Sequence, residues 1–315
     1  MTYKFETPAV FLIGPSASGK TDNAIKLAER YPFEIISVDS AMVFKDMNIG
    51  TCKPSTQDLE RIPHHLIDIL KPDAKFDVGL FINYVESAVN KIIKNNKIPL
   101  FVGGTMMFHK VLFDGMHDFP RDENLREEIN LVKKNQGYEH LLDELKQLDP
   151  ETFQLIDIKN PRRVERALEI IKLTKTKLSL LKQEPSNKFF DSQKCLILGV
   201  NDSKKELDIA AERRLKNIIK EGFLNELEKL INTYKLTSES HSMNSINYKQ
   251  FFPYVEGSIT LEKAFQDALS ATKKLVKTQQ TWMKKFDISL TKIGKDQNES
   301  TFFSDTIETY LKELK

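Results

Sequence analysis

Short, nearly continuous apolar runs punctuate this chain, each followed by a segment of helical spacing. The first run is Ala9-Val10-Phe11-Leu12-Ile13; from Thr21 to Arg30, Ala24, Ile25, Leu27 and Ala28 then recur on one side of a predicted helix. Glu34 to Asp39, Ile98 to Gly103 and Cys195 to Val200 repeat the β-branched, apolar pattern, and Phe81 to Asn95 repeats the helical one. Strands apolar on both faces belong to mostly parallel sheets covered by helices on each side. From about Asp122 to Gln183 the pattern changes to helical spacing alone, broken by Pro150 and Pro161. That span reads as an all-helical insertion. Beyond Val200 the spacing is helical again, with breaks at Gly222 and Pro253, and the last thirty or so residues read as a short strand and a terminal helix. The expected organisation is a core in two pieces, 1–121 and 191–315, around an inserted helical domain at 122–190.

Composition changes this picture little. The chain has 315 residues, 40% apolar and 29% charged, enough for one large α/β core and a smaller appended unit. Its net charge of +2 balances 47 basic against 45 acidic residues, so a nucleic-acid partner would have to be met by clustered lysines and arginines. Cys52 and Cys195 form no metal or redox spacing and read as free thiols of a reducing compartment. No run is long enough to span a membrane and the first residues, Met1-Thr2-Tyr3-Lys4-Phe5-Glu6, carry no apolar signal core, so a cytoplasmic protein without membrane contact is expected.

The chemistry begins directly after the first strand. Gly14-Pro15-Ser16-Ala17-Ser18-Gly19-Lys20-Thr21 fits G-x-x-x-x-G-K-[ST] and stands between a predicted strand and a predicted helix. In that setting successive backbone N–H groups cradle a phosphate chain, Lys20 reaches its terminal phosphate, and Thr21 or Ser18 holds Mg2+. The bland alternative is a chance glycine turn, which the complete motif and its flanks disfavour. Asp39 stands at the carboxyl end of the second strand, the edge of an open sheet that faces ligand. There it can bind magnesium, orient water or act as general base, or it simply caps a turn. Gly103-Gly104-Thr105 after the third strand allows close backbone approach to a ligand and adds a hydroxyl. The adjacent His64 and His65 would point different ways, so hydrogen bonding or packing suits them better than chelation.

In order, the phosphate loop, Ser37 to Ala41, Ile49-Gly50-Thr51-Cys52-Lys53-Pro54, Pro63-His64-His65-Leu66 and Gly103-Gly104-Thr105-Met106 resemble the tRNA dimethylallyltransferase (tRNA isopentenyltransferase) family. The resemblance continues through Asn160 to Glu169, Ser245 to Gln250 and Ala271 to Trp282, covering nearly the whole chain. It implies an α/β fold, a P-loop NTPase-like mostly parallel sheet flanked by helices with an all-helical insertion domain. It implies transfer of a dimethylallyl group from dimethylallyl diphosphate to N6 of an adenosine beside the anticodon, with Mg2+ as cofactor. The chemistry fits: the delocalised adenine amine needs a base, for which Asp39 is the candidate, and the leaving diphosphate needs cations. Lys20, Thr105 and Arg214 complete the expected catalytic set, Arg214 by its offset from Gly222. Many relatives carry a second arginine where this chain has Ala210; either the leaving-group contacts are weaker here or Arg213 takes that place.

For the tRNA anticodon stem-loop the resemblance implies Asp39, Ser40, Ala41, Met42 and Thr105 around the acceptor base. It further implies Arg126, Arg162, Arg163 and Arg166 of the insertion, and Tyr248, Lys249, Lys273, Lys277, Trp282 and Lys284. From the spacing alone, Lys273, Lys277, Gln280 and Lys284 form a basic stripe, with Ala268, Leu269, Leu275, Val276 and Trp282 turned inward. A solvated lysine face is the alternative. Met106, Met107, Phe108 and His109 are expected to pack or to line a channel for the prenyl tail. A target adenosine must leave its stack to reach a crevice, so a clamping insertion is expected mechanically. A monomer is expected. The rival readings are an adenylate isopentenyltransferase, which would not need the basic surfaces, and a P-loop small-molecule kinase.

Overall fold

The computed structural model describes residues 3–184, 186, 188–286, 289–292 and 299–314, with the side chains of 289–292 and 299–302 left aside. Met1 and Thr2, part of the stretch read for a signal segment, lie outside the described residues. One sheet organises the larger unit. Its strands are β1 (Ala9–Ile13), β2 (Phe33–Val38), β3 (His64–His65), β4 (Ile98–Gly103), β5 (Cys195–Asn201) and β6 (Ser289–Lys292), in the order β3-β2-β4-β1-β5-β6. Every pairing is parallel; Val10 opposes Leu100 on one side of β1 and Leu196 on the other. All six residues of β2 and all five of β1 are buried, as two-sided apolar runs require.

The helices of this unit are α1 (Lys20–Arg30), α2 (Thr56–Arg61), α3 (Val78–Lys94) and α4 (Met106–Asp114). On one face of the sheet Val10, Leu12, Ile35 and Leu100 pack with Ala24 and Leu27 of α1 and with Phe303 and Ile307. On the other, alternate residues point away: Phe11 stacks on Phe101 at 4.7 Å and meets Phe190 edge-on, while Phe81 stacks on Phe108.

Asp114–Phe189 form a compact unit of their own, with the first residues of the chain; Phe5–Phe113 and the residues from Phe190 on form the other. The insertion holds α5 (Glu123–Gln136), α6 (Tyr138–Leu148), α7 (Pro150–Leu155), α8 (Pro161–Thr174) and α9 (Leu178–Leu181), and no strand among its described residues. Pro150 and Pro161 stand in the first turn of α7 and α8, where a missing N–H costs nothing. Ile129, Leu141, Leu145, Val164, Leu168 and Ile171 make its core. Buried Asp149 accepts from the backbone and hydroxyl groups of Thr152 and Ser179 and ties α7 to α9.

After β5 the larger unit continues with α10 (Lys204–Lys220), α11 (Phe223–Tyr234), α12 (Tyr248–Val255), α13 (Leu261–Met283) and α14 (Glu299–Glu313). No helix among the described residues is long and apolar enough to cross a membrane.

Candidate active site

Parallel strands bring the carboxyl ends of β1, β2 and β4 to one edge, and the loops they feed meet there. Gly14 N donates to the Gly103 carbonyl and Thr105 N to the Val38 carbonyl, tying the three loops together. Gly14 cannot be larger: a Cβ would lie 2.7 Å from both Ser18 Oγ and the Val200 carbonyl oxygen. Ala17 and Gly19 take left-handed backbone angles, φ 66° and 81°, and turn the loop into α1. For alanine that conformation costs about 1 kcal/mol. Lys20, first residue of α1, bends back so that Nζ donates to the Pro15 carbonyl at 3.1 Å. Burial and the neighbouring Arg214 bring its pKa down to about 8, against the opposing pull of Asp39 and Cys52. Ser18 Oγ is buried without a hydrogen-bond partner among the described residues.

Asp39 follows β2. Its Oδ1 accepts from the backbone N–H groups of Ala41 (2.8 Å) and Met42 (3.1 Å), closing a tight turn. Nothing among the described residues donates to Oδ2. The turn-capping role and the chemical role are therefore compatible, each using one oxygen.

Two cavities share this wall. A pocket of about 120 Å³ lies among Lys20, Thr21, Asp39, Cys52 and Arg214. A larger one of about 440 Å³ is lined by Asp39, Thr105 and Arg214 and also by Met106, Met107, Leu215, Leu275 and Trp282. Ser16, Ser40 and Ala41 also line the larger cavity, and Met42 the smaller. Arg213 and Ala210 border a third, adjoining cavity of about 910 Å³, which Arg214 also lines.

The structure corrects part of the expected RNA surface. Tyr248 is fully buried; its hydroxyl donates to Glu226 Oε1 at 2.6 Å and its ring meets Phe223 edge-on, so it packs rather than faces solvent. Gln280 leaves the expected stripe to donate to Asn201 Oδ1 and the Asp202 carbonyl. Trp282 and Leu275 are not core residues but cavity walls. Lys249, Lys277 and Lys284 are exposed, and Lys273 is half-buried. In the insertion, Arg162 and Arg163 are exposed at the start of α8. Arg126 and Arg166 both bind the buried Glu169 carboxylate, at 3.0 and 2.7 Å, and Arg166 also donates to the carbonyls of Phe119 and Pro120. These two arginines hold their own domain together. His64 and His65 are likewise structural, bonded to the Ile62 carbonyl and to the buried Glu34.

Sequence reasoning passed over two residues. Buried Gln279 of α13 accepts from Ser16 N at 2.8 Å and donates to the Gly104 carbonyl at 2.8 Å. Glu226 of α11 accepts from the backbone N–H groups of Asn48, Ile49 and Gly50 besides the Tyr248 hydroxyl. Gln279 lies in the Ala271 to Trp282 stretch that carries the family resemblance but was given no role there, and Glu226 stands in no motif; each acts on residues some 175 or more positions away, which no local pattern reveals.

A glycine loop of the G-x-x-x-x-G-K-[ST] pattern after an inner strand of a parallel sheet, with a lysine, an arginine and a carboxylate lining one pocket beside it, defines a P-loop NTPase-like fold. The family model for IPP transferase matches residues 42–286, and that for isopentenyl transferase residues 8–70. The tRNA dimethylallyltransferase of Thiobacillus denitrificans is 36% identical over 286 residues, 90% of this chain and 91% of its own. That of Neisseria meningitidis is 37% identical over 284 residues, covering 89% and 90%. Among solved structures, a eukaryotic dimethylallyltransferase acting on tRNA superposes with a TM-score of 0.83 at 25% identity, covering 96% of this chain and 78% of that one. The full-length tRNA isopentenylpyrophosphate transferase of Bacillus halodurans gives 0.71 at 29% identity, covering 98% of each. The chain belongs to the IPP transferase family, that of the tRNA dimethylallyltransferases.

Proposed function

We propose that this chain transfers a dimethylallyl group from dimethylallyl diphosphate to N6 of an adenosine beside the tRNA anticodon, releasing diphosphate. The observation that carries this reading is Asp39, the carboxylate on the wall shared by the pocket of Lys20 and Arg214 and a larger cavity lined in part by apolar side chains. The diphosphate is assigned to the loop between Gly14 and Thr21 and to Lys20 and Arg214, and the prenyl tail to Met106, Met107, Leu215 and Trp282. Lys20 Nζ exchanges the Pro15 carbonyl for a phosphate oxygen, a stronger, charge-assisted bond. The adenosine, splayed from its loop, meets Asp39 and Thr105. As the C1–O bond of the donor breaks and the C1–N6 bond forms, the N6 proton passes to Asp39 Oδ2 and the electron pair leaves with the diphosphate.

Magnesium fits the hydroxyl groups present. Among the described residues no three His, Cys, Asp or Glu side chains cluster to hold a metal, so Ser18 or Thr21 would bind it together with phosphate oxygens. The partnerless buried Ser18 Oγ suits that role. When bound, the ion neutralises charge on the leaving diphosphate. Exposed Lys249, Lys277, Lys284, Arg162 and Arg163, with Lys273, are assigned to the tRNA backbone. We take the protein to act as a monomer in the cytoplasm.

The test is incubation with magnesium, labelled dimethylallyl diphosphate and total tRNA, with AMP in a parallel tube. Label entering tRNA as N6-dimethylallyladenosine and absent from AMP is the expected result. Label in AMP alone would move the acceptor to a free nucleotide, and phosphoryl transfer from ATP without prenyl transfer would make the protein a kinase.

A further inference from the structure

Gln279 is 5% exposed and lies 263 residues from one hydrogen-bond partner and 175 from the other. Its carbonyl oxygen takes the N–H of Ser16, the third residue of the phosphate loop, and its amide donates to the carbonyl of Gly104, where β4 feeds the Thr105 turn. A single planar amide thus fixes the distance between the loop given to the diphosphate and the loop given to the acceptor. Gly104 is shaped around it: a Cβ there would lie 2.5 Å from Gln279 Nε2 and 3.0 Å from the Gly14 carbonyl oxygen. Both loops meet Gln279 at backbone atoms, so no side chain of either loop can substitute for it. Gln279 also borders the cavity that Asp39, Thr105 and Arg214 share.

We propose that Gln279 is a positioning residue for the transfer reaction, holding the first half of the phosphate loop open and in register with the Gly104–Thr105 turn. With the Ser16 N–H committed to Gln279 and the Ser18 N–H to the Pro15 carbonyl, the N–H groups from Gly19 to Thr21 are the ones assigned to the diphosphate. Buried donors and acceptors left unpaired would reorganise, and a shift of about 1 Å in such a frame costs on the order of 100-fold in rate. The assignment rests on the prenyl-transfer reading for its reaction, but not for its ligand chemistry, which is diphosphate.

The test uses two readouts on the full chain: affinity for inorganic pyrophosphate with magnesium, by calorimetry, and steady-state transfer from dimethylallyl diphosphate to tRNA. Gln279→Met, which keeps the volume but neither hydrogen bond, is expected to weaken pyrophosphate binding at least about tenfold and raise the donor KM with it, leaving the tRNA KM unchanged. Gly104→Ala is expected to do likewise by displacing the amide. In the Gln279→Ala background Gly104→Ala is expected to add a smaller loss than it causes in the wild type, because the 2.5 Å clash with the amide is gone and only the 3.0 Å approach to the Gly14 carbonyl oxygen remains; such coupling separates positioning from general destabilisation. Wild-type pyrophosphate affinity in folded Gln279→Met protein, or strictly additive losses in the cycle, would overturn the proposal. Pyrophosphate binding that follows these expectations in a wild-type protein without prenyl transfer would support the role of Gln279 and refute the reaction instead.

Discussion

Asp39 carries the proposed chemistry with one oxygen and its own support with the other, so the two are separable by mutation. Asp39→Asn keeps an Oδ1 acceptor for Ala41 and Met42 but cannot take a proton. We expect it to lose roughly 10²–10⁴-fold in kcat while tRNA affinity, measured by filter binding, stays within about twofold. His109 makes a second residue-scale prediction. It is fully buried beneath the loop end, its Nε2 3.3 Å from the Gly103 carbonyl and its Nδ1 without a partner among the described residues. Burial pushes its pKa down to about 3 from an ordinary 6.5. Between those values the unfolded chain binds a proton that the folded chain refuses, so stability rises with pH through this window and falls on acidification by up to about 5 kcal/mol from this group. Urea denaturation at pH 6.5 and 4 should show a smaller loss in His109→Met than in the wild type.

Among elements, the turn at Asn48–Gly50 shows how a site loop is shaped from outside itself. Glu226 on α11 gathers three backbone N–H groups and the Tyr248 hydroxyl, and Asn247 donates its amide to the Gly50 carbonyl. Gly50 is packed so closely that a Cβ would stand 2.4 Å from Phe223 and 2.6 Å from Tyr248. The turn presents Thr51 and Cys52 to the cavity. Glu226→Ala therefore strands several donors, and we expect about 3 kcal/mol of lost stability in urea denaturation with a raised donor KM. The strands, the phosphate loop and its helix were legible because each depends on neighbours within about ten residues, and so were Asp39 and Thr105 as residues ending strands. β3 was not, because two residues, His64 and His65, carry no period and pair only because β2 is beside them. Tyr248 failed as an RNA contact for the same reason: in the chain it is simply a tyrosine beside lysine, and only the packing of Phe223 and Gly50 decides that it faces inward.

At the scale of the whole molecule, charge explains how a chain of net +2 can be assigned to tRNA. Many ionic groups are spent internally: Arg126 and Arg166 on Glu169, Lys53 on Asp68, Lys263 on Asp267. Exposed Lys277 and Lys284 stand apart from those pairs. Each lysine that neutralises a phosphate contributes about 0.7–0.9 to the slope of log affinity against log salt. Lys277→Gln with Lys284→Gln should lower that slope accordingly in tRNA titrations, while pyrophosphate affinity stays at the wild-type level. An unchanged slope would return these lysines to the role of a solvated face.

By itself the sequence determined the α/β alternation, the helical insertion, the phosphate loop and the residues that end its strands, because periodicity, glycine geometry and strand edges are local properties. Only the tertiary structure decided which polar side chains are available for chemistry and which are consumed in packing. Gln279, Glu226, Tyr248 and Glu169 owe their roles to partners brought close by folding, and a hydrogen bond between distant residues leaves no period in the chain.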